Sequence, residues 1–357
     1  MKKKLFSIIA LALCALMTVS CSGNADFKDT YVIGDTDAAT VDSTAEADTT
    51  DTPEFKGAEI KIATLNGPTT IGVLGLLKGD AAKDSKNTYT YDQIYAGADA
   101  FAPQLLKGEI QAAIIPCNAA ATLAKNSGGK LQIAAVNNLG VLYILEKGHS
   151  IKTVDDLKGK TIVSTGAGTT PQYSLEYVLS KNGLKVGTDL TVEYKSEATE
   201  VLAALKQGKA DIAMLPQPAA TNAQKAVEGL RVALDLNAEW EKVDDKAALV
   251  TGVLVVNTKF AEENPDAVKI LLEDYKKSCD MVSTDLDKIA EYLVEFKIGN
   301  ITNVEIAKTA IPKCNIKYMD GEEMKAAVSG YLAILFDSNP ASVGGEIPTD
   351  TLYYIAK

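Results

Sequence analysis

The stretch GEIQAAIIPCNAA at residues 108–120 returns in altered form as GKADIAMLPQPAA at residues 208–220. Both copies begin with glycine, continue as an apolar run and reach a proline at the same position. Two further pairs follow in the same order at nearly the same offset: 62–70 with 162–170, and 131–134 with 230–233. Units of about 100 residues are too long for a solenoid repeat. They predict two related domains.

Each unit alternates short apolar strands with amphipathic helices. The strands at 110–115 and 210–215 are nearly all apolar, which is typical of parallel strands buried on both faces. Gly108 and Gly208 precede them and are predicted to end the preceding helices. The other predicted strands are 60–64, 89–95, 140–145, 161–164, 190–194 and 249–256. The other predicted helices are 70–77, 171–182, 198–205, 265–284, 286–296, 304–309 and 321–336.

This order predicts an α/β protein with two pseudo-symmetric lobes and a central ligand cleft. The strands at 140–145 and 249–256 are interpreted as the crossovers between the lobes. Residues 57–146 and 249–357 are assigned to lobe I, and residues 147–248 to lobe II. The helices near the C-terminus are expected to pack back on lobe I.

The N-terminus carries an export signal. Three lysines at 2–4 precede an apolar run at 5–19, and small residues lead to Cys21, so residues 1–21 are predicted to be a signal peptide. The cysteine resembles that of a bacterial lipobox, which implies diacylation of Cys21, although Thr18 departs from the usual Leu or Val. A plain signal peptide is the alternative. Residues 22–56 are rich in Asp, Thr, Ala and Ser, which predicts a flexible tether.

Charge and composition exclude several classes of function. The chain has 36 basic and 47 acidic residues, and removal of the three signal lysines makes it more acidic still. No basic patch with interleaved aromatic residues appears, so nucleic acid is not an expected partner. His149 is the only histidine, which argues against a histidine-rich metal site and against common catalytic triads. We expect no metal and no cofactor.

Three cysteines remain after the signal, and none forms a CxxC motif. Because three is an odd number, at most one disulfide can form within the mature chain. Cys279 with Cys314 is the pair that we would expect. Two buried thiols are the alternative, and Cys117 has no evident partner.

Four phrases carry a family resemblance: KIAT at 61–64, LKGEIQAA at 106–113, TVDDLKGK at 153–160 and LKQGKADIA at 205–213. With them, residues 58–340 resemble the periplasmic binding protein type II fold. The resemblance is to ABC-transporter substrate-binding proteins of the nitrate, sulfonate and taurine group and of the thiamine-precursor group. It implies a cleft that closes over one ligand, a partner permease that recognises the closed form, and no enzymatic activity.

The candidate ligand contacts lie in loops that follow the strands. Ligands of open α/β sheets bind beyond the carboxyl ends of the strands. Glycine lets the backbone approach a ligand closely, and threonine hydroxyls donate directional hydrogen bonds. The predicted contacts are Asn66, Thr69, Thr70, Asn118, Gly166, Gly168, Thr169, Thr170, Tyr173 and Gln217.

Each of these predictions has a structural alternative. Threonines at helix starts are more often N-caps than ligand contacts. Tyr173 is a candidate for stacking on a ring, with packing as the alternative, and Tyr91 and Tyr143 are weaker candidates of the same kind. The loops contain no Lys or Arg, and Arg231 is the only arginine of the chain, which favours a neutral or weakly polar ligand over a strong anion.

The sequence therefore predicts a monomeric, lipid-anchored, extracytoplasmic solute-binding protein that delivers a small molecule to an ABC importer. The ligand is unassigned, of nitrate, sulfonate and taurine type or of thiamine-pyrimidine-precursor type. An extracellular sensory lipoprotein of the same fold, without a transport role, is the alternative. An enzyme on this fold is a third and weaker hypothesis.

Overall fold

The computed structural model describes residues 55–244 and 247–356. The predicted signal peptide, the modification of Cys21 and all but the last two residues of the predicted tether lie outside these residues. Of those two, Phe55 is half-buried against the core of the first lobe. No helix in the described ranges has both the length and the apolar character needed to cross a lipid bilayer.

The described strands form two mixed sheets. In the first, β1 is parallel to its neighbours β2, β3 and β4, whereas β11 is antiparallel to both β4 and β5. Its order is β12-β5-β11-β4-β1-β2, with β3 beside β1. Its strands are β1 (Glu59–Leu65), β2 (Thr88–Thr90), β3 (Ile94–Tyr95), β4 (Ala112–Pro116), β5 (Leu131–Asn138), β11 (Gly252–Asn257) and β12 (Ile316–Asp320).

The second sheet repeats the plan of the first. Its strand order is β10-β6-β9-β7-β8, in which β7 is parallel to β8 and β9, and β6 is antiparallel to β9 and β10. These strands are β6 (Leu142–Lys147), β7 (Thr161–Thr165), β8 (Thr191–Lys195), β9 (Ile212–Pro216) and β10 (Leu230–Asp235). The predicted α/β class and the two-lobed duplication are confirmed.

The division between the lobes differs from the expected one at its first boundary. The strand β6 pairs with β9 and β10, so residues 142–147 belong to the second sheet and not to lobe I. The chain therefore crosses between the sheets at residues 139–141, and it returns before β11. The strand predicted at 140–145 is therefore part of the second sheet, and the strand predicted at 249–256 is part of the first sheet. Neither strand is itself the connection between the lobes. We use lobe I for residues 55–138 and 252–356, and lobe II for residues 142–243.

Helices fill the connections between the strands. The helix α10 shows the sequence features that predict an amphipathic helix. Pro265 occupies its first turn, and its buried residues recur at helical spacing, at Val268, Leu271, Leu272 and Tyr275. The helices are α1 (Pro68–Ile71), α2 (Leu74–Leu77), α3 (Ala102–Lys107), α4 (Cys117–Ser127), α5 (Thr170–Lys181), α6 (Ala198–Lys206), α7 (Ala219–Ala226), α8 (Leu236–Val243), α9 (Thr258–Glu263), α10 (Pro265–Thr284), α11 (Leu286–Glu295), α12 (Val304–Ala310) and α13 (Gly321–Ser338).

Two predicted elements are divided in the structure. The helix expected at 70–77 is interrupted at Gly72, where a Cβ atom would lie 2.5 Å from Oδ1 of Asn137 and the carbonyl accepts a hydrogen bond from the thiol of Cys279. Gly72 and Val73 separate α1 from α2, and the packing leaves no room for a side chain at residue 72. The strand expected at 89–95 is likewise two short strands, and Tyr91 between them is exposed and packs edge-on against Phe296.

The largest hydrophobic cluster continues from one lobe into the other. In lobe II, the fully buried Trp240 of α8 lies 4.6 Å from the ring of Tyr177 and 5.6 Å from the ring of Tyr331, which belongs to α13. The Tyr331 hydroxyl also lies 3.2 Å from the hydroxyl of Ser174. The last helix therefore packs on lobe I, as expected, and on lobe II as well.

Candidate functional site

A cleft of about 350 Å³ lies between the lobes. It is lined from lobe I by the ends of β1 and β4, at Leu65 and Pro116, and from lobe II by the ends of β7 and β9, at Thr165 and Pro216. The carboxyl ends of the central parallel strands of both sheets thus meet at one cavity. This is the position at which ligands of open α/β sheets are expected.

Four helices begin at this cleft. The residues that precede α4, α5, α6 and α7 are Pro116, Thr169, Glu197 and Pro218, and all four line the cavity. Within the described structure, none of the four makes a side-chain cap hydrogen bond. Helix N-termini carry partial positive charge, so together they favour a negatively charged or carbonyl-bearing group, although some of their N–H groups are already paired, as that of Cys117 is with the carbonyl of Thr251.

Gln217 contributes a polar side chain without a complete set of partners. The residue lines the cleft and is fully buried. Its Oε1 accepts a hydrogen bond of 3.2 Å from the N–H of Thr221, but its Nε2 has no acceptor among the described residues. A buried donor without a partner costs about 1–3 kcal/mol. The amide is therefore a donor that a bound ligand could satisfy.

The charged side chains at the cleft are acidic. Asp99 and Glu197 are exposed residues of its lining, one from each lobe, and neither Lys nor Arg is among the described lining residues. The cleft thus combines the positive ends of helices with carboxylates. This combination suits a ligand that carries both an acidic and a basic group.

Four of the ten predicted contacts line the cleft: Asn66, Gly166, Thr169 and Gln217. Asn66 is held by its own lobe, because its Oδ1 accepts a 2.9 Å hydrogen bond from the N–H of Gly299. The hydroxyl of Thr169 donates to the carbonyl of Gly166 at 2.9 Å. That bond closes the loop after β7 and leaves the hydroxyl oxygen free to accept another hydrogen bond.

Two predicted contacts are turned into lobe I. Thr69 is buried, and its hydroxyl points to the carbonyl of Leu65 at 3.4 Å. Thr70 is fully buried, and its hydroxyl donates to the same carbonyl and lies 2.9 Å from the hydroxyl of Thr64. These bonds fix the turn between β1 and α1. Neither side chain is part of the cleft lining.

Three further predicted contacts meet one another across the cleft edge. The hydroxyl of Thr170 in lobe II donates to Oδ1 of Asn118 in lobe I at 3.1 Å. The Nδ2 of Asn118 lies 3.5 Å from the carbonyl of Gly168 and 3.2 Å from that of Ser342. These residues adjoin the lining residues Thr169 and Ala119 but do not line the cavity themselves.

The candidate tyrosines Tyr143 and Tyr173 and the histidine His149 are not among the residues that line the cleft. Tyr173 packs partly against the main hydrophobic cluster, and burial together with Glu176 raises the pKa of its hydroxyl. The hydroxyl of Tyr143 points to the carbonyl of Lys313 at 3.4 Å, and burial raises its pKa to about 12. His149 is exposed in the loop after β6. Tyr173 is thus a packing residue in this structure, which was the alternative to stacking on a ligand ring.

The expected cysteine pairing is not present. Cys117, Cys279 and Cys314 are buried free thiols, as in the alternative stated above. Cys314 donates to the carbonyl of Ala310 in its own helical turn, whereas Cys279 donates to Gly72. Burial raises the pKa of the Cys279 thiol to about 12, so the reactive thiolate is disfavoured.

Sequence reasoning missed several lining residues, and for some of them a signal existed. Residues 96–99 and 196–198 line the cleft from opposite lobes at the same offset of 100 that defines the duplication. Aligning these loops would have located both segments, which carry Asp99 and Glu197. Gly299 had no such signal, because it lies in the C-terminal part of lobe I and reaches the cleft through tertiary packing.

No group of three or more His, Cys, Asp or Glu side chains within the described ranges is arranged to hold a metal ion.

Comparison with known proteins identifies the family. The sequence model of the ABC-transporter phosphonate periplasmic substrate-binding proteins matches residues 85–304, which is more than half of the chain. The chain belongs to this family. The family is one of periplasmic substrate-binding proteins, in agreement with the expectation of a binding protein.

Individual relatives are distant. A curated binding protein of Brucella abortus is 24% identical over 216 residues, which is 59% of this chain and 64% of the relative. An ABC transporter structure from Parabacteroides distasonis has a TM-score of 0.65 at 23% identity, covering 84% of this chain and 99% of that one. The aliphatic sulphonate binding protein SsuA of Escherichia coli has a TM-score of 0.63 at 19% identity, covering 84% and 96%.

These similarities confirm the predicted resemblance to ABC-transporter substrate-binding proteins and to the periplasmic binding protein type II fold. The fold is that of the periplasmic binding proteins, and the sulfonate-binding proteins are among its structural neighbours. The matching family is the phosphonate one. The members of this family are described as periplasmic.

Proposed function

We propose that this family member captures an organic phosphonate or sulfonate in the interlobe cleft and delivers it to the permease of an ABC importer. The observation that carries the proposal is a cavity at which four helices begin and which is lined by Gln217, whose buried Nε2 has no acceptor among the described residues. The names of the family and of its sulfonate-binding structural neighbours support the same class of ligand.

Backbone groups would bind the acidic end of such a ligand. A helix N-terminus stabilises a nearby anion by about 0.3–1 kcal/mol, and more where the geometry is partly buried. The starts of α4 and α5 approach from different lobes, at Pro116 and Thr169, so one oxyanion could bridge them. This mode of binding needs neither Lys nor Arg. The absence of Lys and Arg from the loops therefore does not require a neutral ligand.

The carboxylates of Asp99 and Glu197 restrict the charge that a favoured ligand can carry. A plain dianion would be repelled by both, whereas an ammonium group at the other end of the molecule would be attracted. Amino-substituted phosphonates or sulfonates are therefore favoured over their unsubstituted analogues. Both carboxylates are exposed, so their contribution should weaken as salt concentration rises.

The N-terminal sequence supports attachment to a membrane. Residues 1–21 have the order of a lipoprotein signal, and the acidic, apolar-poor segment that follows would act as a tether. We propose that diacylated Cys21 anchors the protein and that it works as a monomer beside its permease. Metabolic labelling with a palmitate analogue should be lost in Cys21→Ser.

Binding is tested by titration calorimetry of the full chain with methylphosphonate, 2-aminoethylphosphonate, methanesulfonate, taurine, nitrate and a pyrimidine precursor of thiamine. Gln217→Met removes the unpaired amide at nearly constant volume. It should weaken binding of the best ligand about tenfold or more, because a hydrogen bond to a charged group contributes about 1.5–3 kcal/mol. Gln207→Met, at an exposed position of lobe II, is the matched control.

The result separates the ligand classes. Saturable binding of an amino-substituted acid that is lost in Gln217→Met and kept in Gln207→Met supports the proposal. Selective binding of the thiamine precursor or of nitrate would contradict the ligand class. If no compound in the set binds, a phosphonate or sulfonate ligand is rejected, although the family assignment is unaffected.

A further inference from the structure

Asn118 and Thr170 make a hydrogen bond that joins the two lobes. Asn118 lies in the first turn of α4 in lobe I, and Thr170 is the first residue of α5 in lobe II. The Thr170 hydroxyl donates to Oδ1 of Asn118 at 3.1 Å. Both side chains are buried, with exposures of 3% for Asn118 and 0% for Thr170. The bond is therefore protected from competing water.

The Asn118 amide is held in place on its other side. Its Nδ2 donates to the carbonyl of Ser342, which follows α13, and it also points to the carbonyl of Gly168 at a longer distance. The Ser342 hydroxyl in turn donates to the carbonyl of Leu335 in α13. The C-terminal segment of lobe I thus orients the amide toward lobe II. An amide whose donor and acceptor are both engaged is less available to a ligand than that of Gln217.

The duplication supplies an internal comparison. Thr70 of lobe I corresponds to Thr170 by the offset of 100, and Pro218 of lobe II corresponds to Asn118. Both threonines are fully buried, yet Thr70 bonds within its own lobe. Pro218 has no side-chain hydrogen-bonding atom to offer. Only one of the two equivalent sites can therefore form a polar bond between the lobes.

We infer that Asn118 and Thr170 form an interlobe clasp that stabilises the closed arrangement of the lobes, before and independently of ligand binding. They are positioning residues and not ligand contacts. The inference deepens the proposed function, since a clasp that favours closure should also slow the release of whatever the cleft holds. Its direct consequence is a conformational equilibrium that can be measured without a ligand.

Single-molecule energy transfer in the full, detergent-solubilised chain tests the clasp. Fluorophores are attached through noncanonical amino acids at exposed Ala100 in lobe I and exposed Lys206 in lobe II, so that the native cysteines are left intact. Thr170→Val removes the hydroxyl and keeps the shape of the side chain. The ratio of open to closed molecules should rise about fivefold, as expected for one buried neutral hydrogen bond.

The equivalent threonine provides the control. Thr70→Val removes a buried hydroxyl in lobe I and should lower the unfolding temperature while the open-to-closed ratio stays at the wild-type value. Thr170→Ser keeps the hydroxyl and should restore the wild-type ratio. The two controls separate loss of the interlobe bond from a general loss of stability.

Equal distance distributions for wild type and Thr170→Val would overturn the inference, whichever conformation dominates. An equal shift in Thr70→Val and Thr170→Val would do the same, because it would indicate a general effect of losing a buried hydroxyl. Since these measurements contain no ligand, they stand even if every compound in the binding titrations fails. A failure of the proposed ligand class and a failure of the clasp are therefore distinguishable.

Discussion

The two lobes share a plan but differ in what holds their fourth strand. Strands β2-β1-β4-β11-β5 of lobe I lie in the same order as β8-β7-β9-β6-β10 of lobe II. In each lobe the fourth strand arrives from the other lobe and runs antiparallel to the third. The sheet register places Glu146 of β6 opposite Arg231, and Val256 of β11 opposite Gln132, at equivalent positions.

This difference shows where the duplicated units have diverged. In lobe II, Glu146 is 4% exposed and its carboxylate lies 2.6 Å from Nη2 of Arg231. The same carboxylate accepts hydrogen bonds from the N–H groups of Ser150 and Ile151. In lobe I the equivalent Val256 is simply buried in the core. An ion pair therefore helps to hold the loop after β6, whereas the segment after β11 is held by neutral hydrogen bonds of Asn257 and Thr258 and not by the equivalent Val256.

The comparison is tested most strongly by Arg231→Gln. The substitution leaves the buried carboxylate of Glu146 without its cation, and breaking a buried ion pair in this way costs about 3 kcal/mol of unfolding free energy. Gln132→Leu alters the equivalent position of lobe I and should change stability by only about 0.5 kcal/mol. Urea unfolding followed by circular dichroism measures both. Equal losses of unfolding free energy in the two variants would show that the ion pair does not stabilise lobe II more than the equivalent contact stabilises lobe I.

The same pair predicts a pH dependence. Burial raises the pKa of Glu146, but hydrogen bonds from Ser150 and Ile151 together with Arg231 outweigh it and hold the pKa below its usual value of 4.5. A carboxylate with a lowered pKa stabilises the fold above pH 4.5, and this contribution is lost as pH falls through the lowered value. Stability should therefore decline in acid, and the decline should be smaller in Arg231→Gln. An unchanged acid slope in the variant would contradict this assignment.

A medium effect is expected where the lobes touch through apolar atoms. Gly299 has a φ of +61°, and a Cβ atom there would lie 2.7 Å from Cγ of Pro218 in lobe II. Gly299→Ala should cost about 1 kcal/mol for the left-handed backbone and about 1 kcal/mol more for the clash. Gly208 has a similar φ of +66° with no atom within 4 Å, so Gly208→Ala should show only the first cost.

Urea titrations of the two glycine variants measure this difference. The interlobe distance of Gly299→Ala should also increase, because opening the lobes relieves the contact with Pro218. Identical losses of stability, with no change in distance, would mean that the contact does not restrain the lobes.

The smallest effect is expected for the first threonine of each pair. Thr169 lines the cleft, whereas Thr69 is buried beside Leu65. Thr169→Val should weaken ligand binding about threefold to tenfold, as for one neutral hydrogen bond. Thr69→Val should leave affinity unchanged and affect stability alone. Calorimetry with the best ligand of the set measures both affinities. A larger loss of affinity in Thr69→Val than in Thr169→Val would contradict the assignment of Thr169 to the cleft and of Thr69 to the interior of lobe I.

The secondary structure was largely predictable where the local pattern was strong. The helix predicted at 265–284 has these bounds in the structure, because an N-terminal proline and a regular apolar stripe mark it. Gly108 ends α3 in the left-handed conformation, as its position before an apolar run suggested. Prediction failed at Gly72 and Val73, which divide the expected helix into α1 and α2 where the chain packs closely against Asn137 and Cys279.

The candidate site was predictable in place but not in detail. Because the duplication aligns the loops that follow equivalent strands, it located Asn66, Gly166, Thr169 and Gln217 at the cleft. It could not distinguish Thr170 from Thr169, since neighbouring side chains on a helix start point in different directions. Nor could spacing along the chain reveal that Cys279 and Cys314 belong to separate hydrogen-bonding environments.

The sequence by itself determined the duplication, the α/β class, the family resemblance and the acidic character of the protein, because repeats, periodicity and composition are local or additive properties. Only the tertiary structure decided which side chains face the cleft and which join the lobes. Thr70 and Thr170 are the same residue at equivalent positions, and they differ because Thr70 bonds to Thr64 and Leu65 of its own lobe whereas Thr170 bonds to Asn118 of the other lobe. That choice depends on contacts between distant segments, which the residue type alone does not encode.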